Sequence, residues 1–476
     1  MFVKNVSHLL NKNLDKIQLS IREIGIETLE KSILAVKPKI LMQNSIKLHK
    51  KRLIIENDEY DLENFNKIYI IGGGKATAEM ALTLEEFFSD VKDIRYEGII
   101  NIPDNSELMD NFKKSRISFN LASHPIPNEE GFKGTKAMMK LIEKSTNNDL
   151  IFCLISGGGS ALLPFPKQGI EIEDLRIFNS LLLSSGASIH EINTLRKHLS
   201  DFKGGNLAKK IYNSSGATLI SIIISDVVGD NLDSIASGPT VSDRTTFKEA
   251  FEIIEKFELL NKIPNSIRES LNQGLSGKMS ENPKPGNSCF NNVHNYLIGS
   301  VKNAVQEAKS FLNSKQFKVD YVSDNVIGEA KDFGQVLYGV ISRHVKDNLT
   351  KDKIKKIALI GTGELTVTIR GDGIGGRNQE MLLSFLNIVK NKKLNYDLLI
   401  ISANLDGIEG NSEAMGALID NYVLEQMILR KIDTEKYLIN NDSNNFFKEL
   451  GTEIITGPTG CNVNDLTLIL ITKINN

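Results

Sequence analysis

The chain has few cysteines and no paired motif among them. Cys153, Cys289 and Cys461 are odd in number and far apart in sequence, which excludes a disulfide framework and a CxxC metal site. A reducing cytoplasm is the simpler compartment. None of the seven histidines falls in an HExxH pattern, so catalytic zinc has no support. Excess charge is also missing: Lys+Arg 57 against Asp+Glu 59 leaves a formal net charge of -2, which argues against general nucleic-acid affinity. No window approaches the roughly eighteen uninterrupted apolar residues of a membrane span, and "MFVKNVSHLLNKNLDKI" has no apolar core of a leader. The expected partners are therefore small molecules, with no nucleic acid and no membrane. A homo-oligomer stays open.

What the chain does contain is length and strand-like apolar runs. Its 476 residues allow more than one core. "KIYIIGGG" near 67, "YEGIIN" near 96, "RISFNLAS" near 116, "LIFCLISGGG" near 150 and "ATLISIIISD" near 217 are spaced by helix-length segments. Near-continuous Ile, Val and Leu in such runs predicts a parallel sheet covered on both faces. The expectation is an α/β chain whose N-terminal domain, residues 1–270, is a doubly wound, Rossmann-like parallel sheet. Residues 271–292, rich in Gly, Ser, Asn and Pro, read as a linker or long loop. Residues 293–476 form the second α/β domain, with "YLIGS" at 296 as its first strand. "KIALIGTG" and "ELTVTIR", too close for an intervening helix, predict antiparallel members and hence a mixed sheet there.

Two glycine loops follow strands. Gly72, Gly73 and Gly74 precede Lys75 and a helical pattern, which fits an anion at a strand's carboxyl end, or only a tight turn. The loop is not a Walker A motif, because Tyr69 stands where the first Gly belongs and Ala76 where Ser or Thr belongs; Thr77 spoils GxGxxG. Gly157, Gly158 and Gly159 lie between Ser156 and Ser160, more bare backbone than a turn requires, and the hydroxyls can donate to phosphate or carboxylate. No GxSxG elbow supports a serine nucleophile.

Ser188 and Glu191 form a capping box opening a helix. On its wheel Asn193, Arg196, Ser200 and Lys203 share a stripe beside the apolar face, an arrangement suited to an anion; His198 lies off it and reads as a surface or packing histidine. Asp226 ends an apolar strand, with Asp230 and Asp233 in the loop after it. Asp226 and Asp230 could hold Mg2+, Asp226 could instead take a proton from an alcohol, and Asp233 reads as a loop cap. Ser237, Gly238 and Thr240 form a sharp turn within reach of a ligand. Further on, Gly375 and Gly376 precede Arg377, Asn378, Gln379 and Glu380 at a helix start, where Arg suits a bidentate grip on phosphate. Asp406, Glu409 and Glu413 follow another strand.

In order, "GGGKATAEMA", "HPIPNEEG", "LISGGGSALLPFP", "SGASIHEINTLRKHLSDFKGGNLA", "SDVVGDNLDSIASGPT", "GGRNQE" and "TGPTGCNVNDL" resemble the glycerate 2-kinase family, whose members carry a C-terminal MOFRL domain. The resemblance runs from about residue 70 to 470. It implies phosphorylation of the 2-hydroxyl of D-glycerate by ATP with Mg2+, and it points to Lys75 and Arg377 as catalytic or phosphate-binding residues on either side of an interdomain cleft. "GTGELTV" at 361–367 and "GNSEAMGA" at 410–417 depart from the family's more usual Ser-Gly-Gly-Glu and Gly-Pro-Thr-Asp-Ala-Ala-Gly-Ala. Hydroxypyruvate reductase, a name some similar proteins receive, is the alternative; it requires a nicotinamide site that neither glycine loop spells out.

Overall fold

A computed structural model describes residues 1–105, 112, 115–349 and 354–474. Its strands, in chain order, are β1 (Ile46–His49), β2 (Arg52–Ile55), β3 (Asp58–Asp61), β4 (Ile68–Gly73), β5 (Tyr96–Pro103), β6 (Ile117–Ala122), β7 (Leu150–Ile155), β8 (Thr218–Ile224), β9 (Val293–Gly299), β10 (Lys318–Glu329), β11 (Lys356–Thr366), β12 (Tyr396–Asn404), β13 (Gly416–Asp420), β14 (Glu453–Ile454) and β15 (Asp465–Lys473). The chain divides into two compact units, Pro38–Gly299 and, discontinuously, Met1–Lys37 with Ser300–Asn476.

In the first unit six strands lie in the order β6-β5-β4-β7-β8-β9, every neighbouring pair parallel. Every residue of β4 and β7 is buried, as a sheet covered on both faces requires. One face packs Ile71, Ile151, Cys153 and Leu219 against Met138, Met139 and Ile142 of the helix Glu129–Lys144. Helix Thr77–Ser89 buries Met80, Leu84 and Phe88, with Phe88 and Phe152 ring centroids 6.2 Å apart. Burial pushes the Cys153 thiol up to about 12, so it remains protonated and behaves as a small hydrophobe. A separate antiparallel sheet, β1-β2-β3, belongs to the same unit and was not anticipated from the sequence.

This strand order reverses direction between β4 and β7. Such a switch point opens a crevice beyond the strands' carboxyl ends, the usual ligand position in open α/β sheets. Both glycine loops emerge there, one from each strand.

The second unit has the order β10-β11-β15-β12-β13-β14. β10 and β11 are parallel and the remaining pairs antiparallel, so the sheet is mixed as expected. The reason differs from the expected one. "KIALIGTGELT" is a single strand rather than two, and the antiparallel members arise where β15 inserts between β11 and β12 and where β13 and β14 continue the sheet beyond β12. Met381, Leu382, Phe385 and Leu386 of helix Arg377–Val389 cover one face.

The expected boundaries also need correction. β9, which contains "YLIG", is the edge strand of the first sheet, paired with β8. The 271–292 segment is no free linker either. Asn282 accepts from Asn206 at 2.8 Å and donates to Asp243 at 2.9 Å, while Glu281 accepts from the Phe247 N–H at 2.9 Å. Its polar residues resemble solvated loop by composition but serve as fixed partners inside the first unit. Residues 1–37 belong with the second unit, where Gly25 of helix Lys16–Ala35 lets the helix approach Leu399 and Ile401.

Candidate active site

The β4 loop is fastened to the β7 loop. Lys75 N–H donates to the Gly157 carbonyl at 2.9 Å, and Ala76 N–H to Ser156 Oγ at 3.0 Å. Gly74 N–H reaches the Asn101 carbonyl at 3.3 Å, and Thr77 N–H the Gly74 carbonyl at 3.4 Å. The N–H groups from Gly74 to Thr77 are thus engaged within the protein, while the Lys75 side chain is exposed at the mouth of the loop. Gly73 is buried, packed against Leu163. Ser156 is fully buried and acts as a joint between the loops.

Gly74 has φ +156°, and a Cβ there would fall on Ser156 Oγ. Gly74→Ala should therefore destabilise the first unit by about 1–3 kcal/mol, from backbone strain and overpacking, read as a lowered thermal midpoint.

The β7 loop is different. Gly159 N–H folds back on the Ser156 carbonyl at 3.2 Å, but among the described residues the N–H groups of Gly157, Gly158 and Ser160 meet no acceptor. Gly158 has φ +82°, in the left-handed region open to glycine. A Cβ on it would stand 3.1 Å from His124 Cδ2, 3.2 Å from His124 Nε2 and 3.2 Å from Lys75 Cγ. Lys75, His124 and Gly158 thus converge at the switch point. The sequence offered His124 only as a letter in "HPIPNEEG"; its position after β6 gave no hint of this neighbourhood. Partial burial, then the Lys75 charge, push its imidazole down to about 4, so it is neutral near pH 7.

Beside this lies a cavity of about 30 Å³ whose lining includes Ser160, Asn179, Arg196, Ser200 and Lys203. That is more than the roughly 10–15 Å³ needed to hold one water, so the cavity has room for a small polar group. Arg196 Nε donates to Asn179 Oδ1 at 3.0 Å, and Lys203 Nζ to the Leu163 carbonyl at 2.7 Å. Burial, then the Arg196 charge, bring Lys203 down to about 7; burial also lowers Arg196. Two cations held so close in a buried wall create a standing preference for an anion. Ser160 Oγ lies 2.9 Å from Ser237 Oγ, which donates to Asn193 Oδ1 at 3.1 Å. Ala236, Ser237 and Gly238 all have positive φ, at 49°, 59° and 61°, a run held by Gly204 N–H on the Ser237 carbonyl and Gly205 N–H on the Gly238 carbonyl. Thr240, by contrast, donates inward to Asn295 Oδ1 at 2.6 Å. Of the two readings open for His198, surface or packing, the fold gives the second: it is fully buried, its ring centroid 4.6 Å from that of Phe247. Lys197 Nζ, which the sequence did not single out, is 3.1 Å from Asp233 and 3.3 Å from Asp243, bracing the same helix.

Asp226 and Asp230 are half-buried in the loop after β8, Asp230 with φ 57°. Among the described residues no group of three or more His, Cys, Asp or Glu could by itself hold a metal ion. A complete protein cage is therefore lacking, whereas one or two carboxylates fit the way Mg2+ is shared with phosphate oxygens.

In the second unit Arg377 Nε and Nη2 grip Asp465 at 2.6 and 2.8 Å, and Nη1 donates to Glu364 at 2.7 Å. Burial works against the guanidinium's charge, but these carboxylates raise it above its ordinary value. Burial raises Asp465 to about 6 against the pull of Arg377. Glu409, raised to about 7 by burial, accepts from the N–H groups of Asn378 and Gln379 at 2.8 and 3.0 Å, capping the helix. The other polar residues of this cluster also have internal partners. Ser402 donates to Asn378 at 2.6 Å, Asn444 to Gln379 at 2.9 Å and Asn441 to Glu380 at 3.0 Å. Asp406 accepts from the Val463 N–H at 3.3 Å, bracing the 456–463 loop. Arg377, Asn378, Glu380 and Asp406 were ligand candidates from the sequence; Asn378 and Glu380 are buried in these bonds, while Arg377 and Asp406 are half-exposed.

The family described as "Domain of unknown function (DUF4147)" matches residues 26–272, and the MOFRL family matches residues 357–465. Glycerate 2-kinase of Pyrococcus horikoshii is 37% identical over 96% of this chain and 99% of its own. D-glycerate 2-kinase of Thermotoga maritima is 34% identical over 95% and 99%. The solved Thermotoga maritima glycerate kinase superposes with TM-score 0.79 over 95% of this chain and 100% of that one. An Agrobacterium vitis protein, provisionally named a hydroxypyruvate reductase, is 36% identical over 84% of this chain and 86% of its own. Sheet order, loops and relatives agree: the chain belongs to the glycerate 2-kinase family with a C-terminal MOFRL domain.

Proposed function

We propose that this chain transfers the γ-phosphoryl group of ATP to the 2-hydroxyl of D-glycerate, giving 2-phosphoglycerate and ADP. The observation that carries the reading is the pairing of two anion-seeking surfaces at one switch point. Lys75 and the N–H groups of Gly157, Gly158 and Ser160 suit phosphate oxygens, while Arg196 and Lys203 suit a carboxylate. Ser160 belongs to both. Phosphoryl transfer depends chiefly on alignment and on neutralising charge over the transferring group, which two adjacent anion sites supply. Mg2+, when bound with ATP, would neutralise phosphate charge; Asp226, with Asp230, would hold it. Arg377 is the second unit's candidate for phosphate contact, steadied by Asp465. No helix among the described residues is long and apolar enough to cross a membrane.

The reductase reading predicts a dinucleotide on the β4 loop. Thr77 stands at the last glycine position, and the loop's N–H groups already have acceptors. Purified protein given MgATP and D-glycerate should release ADP and form 2-phosphoglycerate; NADH oxidation by hydroxypyruvate with no ADP release would overturn the proposal.

Lys203 gives the reaction a pH signature. Its ammonium is charged below about 7 and neutral above, so KM for D-glycerate should rise as pH passes from about 6 to about 8.5, toward tenfold per unit at the limit of full dependence on that charge. Lys203→Met should show a raised KM at about pH 6 and lose the pH trend.

A further inference from the structure

We infer that His124 is the catalytic proton acceptor of the reaction proposed above, taking the proton of the substrate hydroxyl as it attacks phosphorus. Three observations carry this. His124 stands against Gly158, within 3.2 Å of the position its Cβ would take, and the same position is 3.2 Å from Lys75 Cγ. The imidazole therefore faces the point where the phosphate-binding N–H groups and Lys75 meet. Its ring makes no hydrogen bond to another described residue, although the surrounding polar side chains are paired: Asn128 accepts from the Ser123 and Gly131 N–H groups, and Asn120 donates to Asn101. An unpartnered, half-buried imidazole at a ligand crevice is available to accept from a substrate hydroxyl. Partial burial and Lys75 also keep it unprotonated across the working pH range.

The step balances without another reactant. The 2-oxygen forms a bond to the γ-phosphorus, the bond from that phosphorus to the β–γ bridging oxygen breaks, and ADP leaves with its electron pair. The hydroxyl proton moves to the free ring nitrogen, and the imidazolium returns it to water after product release. Lys75 disfavours imidazolium in the empty site, but transferring phosphoryl charge beside both groups offsets that repulsion. Asp226, the carboxylate the sequence suggested for this role, follows β8 and takes the metal-holding task in this scheme.

The inference rests on the kinase reading, and one experiment separates their failures. Wild-type, His124→Gln and His124→Asn proteins are assayed for ADP release with D-glycerate across pH. For the variants we expect kcat lowered by about 10²–10⁴, KM for both substrates within about threefold, and loss of the acid-side fall in kcat that the wild-type protein shows. Retention of kcat within about fivefold, or a rise in KM with kcat unchanged, overturns the assignment while leaving the kinase intact. No ADP from the wild-type protein overturns the kinase reading itself. Should neither variant fold, carbethoxylation of the wild-type protein decides: substrate-protected inactivation must map to His124, and inactivation with His124 unmodified overturns the role.

Discussion

Lys75→Met should lower kcat for D-glycerate phosphorylation by about 10²–10³ while the thermal midpoint stays put. The size follows from removing one preorganised charge aimed where negative charge gathers in the transition state. The small effect on stability follows from position: Lys75 is exposed, substitutions at exposed positions shift stability little, and the backbone N–H bond to the Gly157 carbonyl is kept in Met. Met also preserves the unbranched stem that passes Gly158. Lys75→Arg should recover part of the rate, because charge returns but the fork is longer and planar. ADP release measures the first effect and thermal unfolding the second. Normal turnover in Lys75→Met would remove the central charge from the proposed site.

The sheet and the phosphate loop were legible for one reason: parallel strands buried on both faces are continuous apolar runs, and two of those runs ended in glycines. β4 and β7 with their loops could be read directly. The strand order that makes them neighbours at a switch point could not, because pairing is set by crossovers that leave no local mark. Polar residues were harder. Ser156 and Ser160 look alike in sequence, yet Ser156 is a buried joint and Ser160 lines the anion cavity. Asn378 and Glu380 attracted notice for being polar before an apolar helix. Their partners, Ser402 of β12 and Glu409 and Asn441 of other loops, are distant in sequence, and this long-range pairing accounts for them. His124 is the converse, a site candidate invisible until folding sets it against Gly158. Composition misled most at the boundaries, since a Gly- and Asn-rich segment that is hydrogen-bonded in place reads the same as one that is solvated.

The second large effect tests that boundary. Arg22→Met should destabilise the second unit by about 3–5 kcal/mol, although residue 22 lies in the part of the chain expected from sequence to belong to the first domain. Arg22 is fully buried and donates to Asp420 through Nε at 2.6 Å and Nη2 at 3.0 Å, and to the Leu9 carbonyl through Nη1 at 2.5 Å. Asp420 in turn caps helix Asn421–Leu429 through the Val423 N–H at 2.9 Å. Methionine fills much of the arginine volume but abandons a buried carboxylate, and that uncompensated charge is the main cost. At roughly 2–4 °C per kcal/mol for a unit of this size, its unfolding transition should fall by about 10 °C. Calorimetry that resolves two transitions should show only one displaced, the one also lowered by a core substitution such as Leu399→Ala. Asp420→Asn added to Arg22→Met should recover much of the loss, since Asn keeps the helix cap and removes the stranded charge. A shift confined to the transition sensitive to Gly74→Ala would instead return residues 1–37 to the first unit.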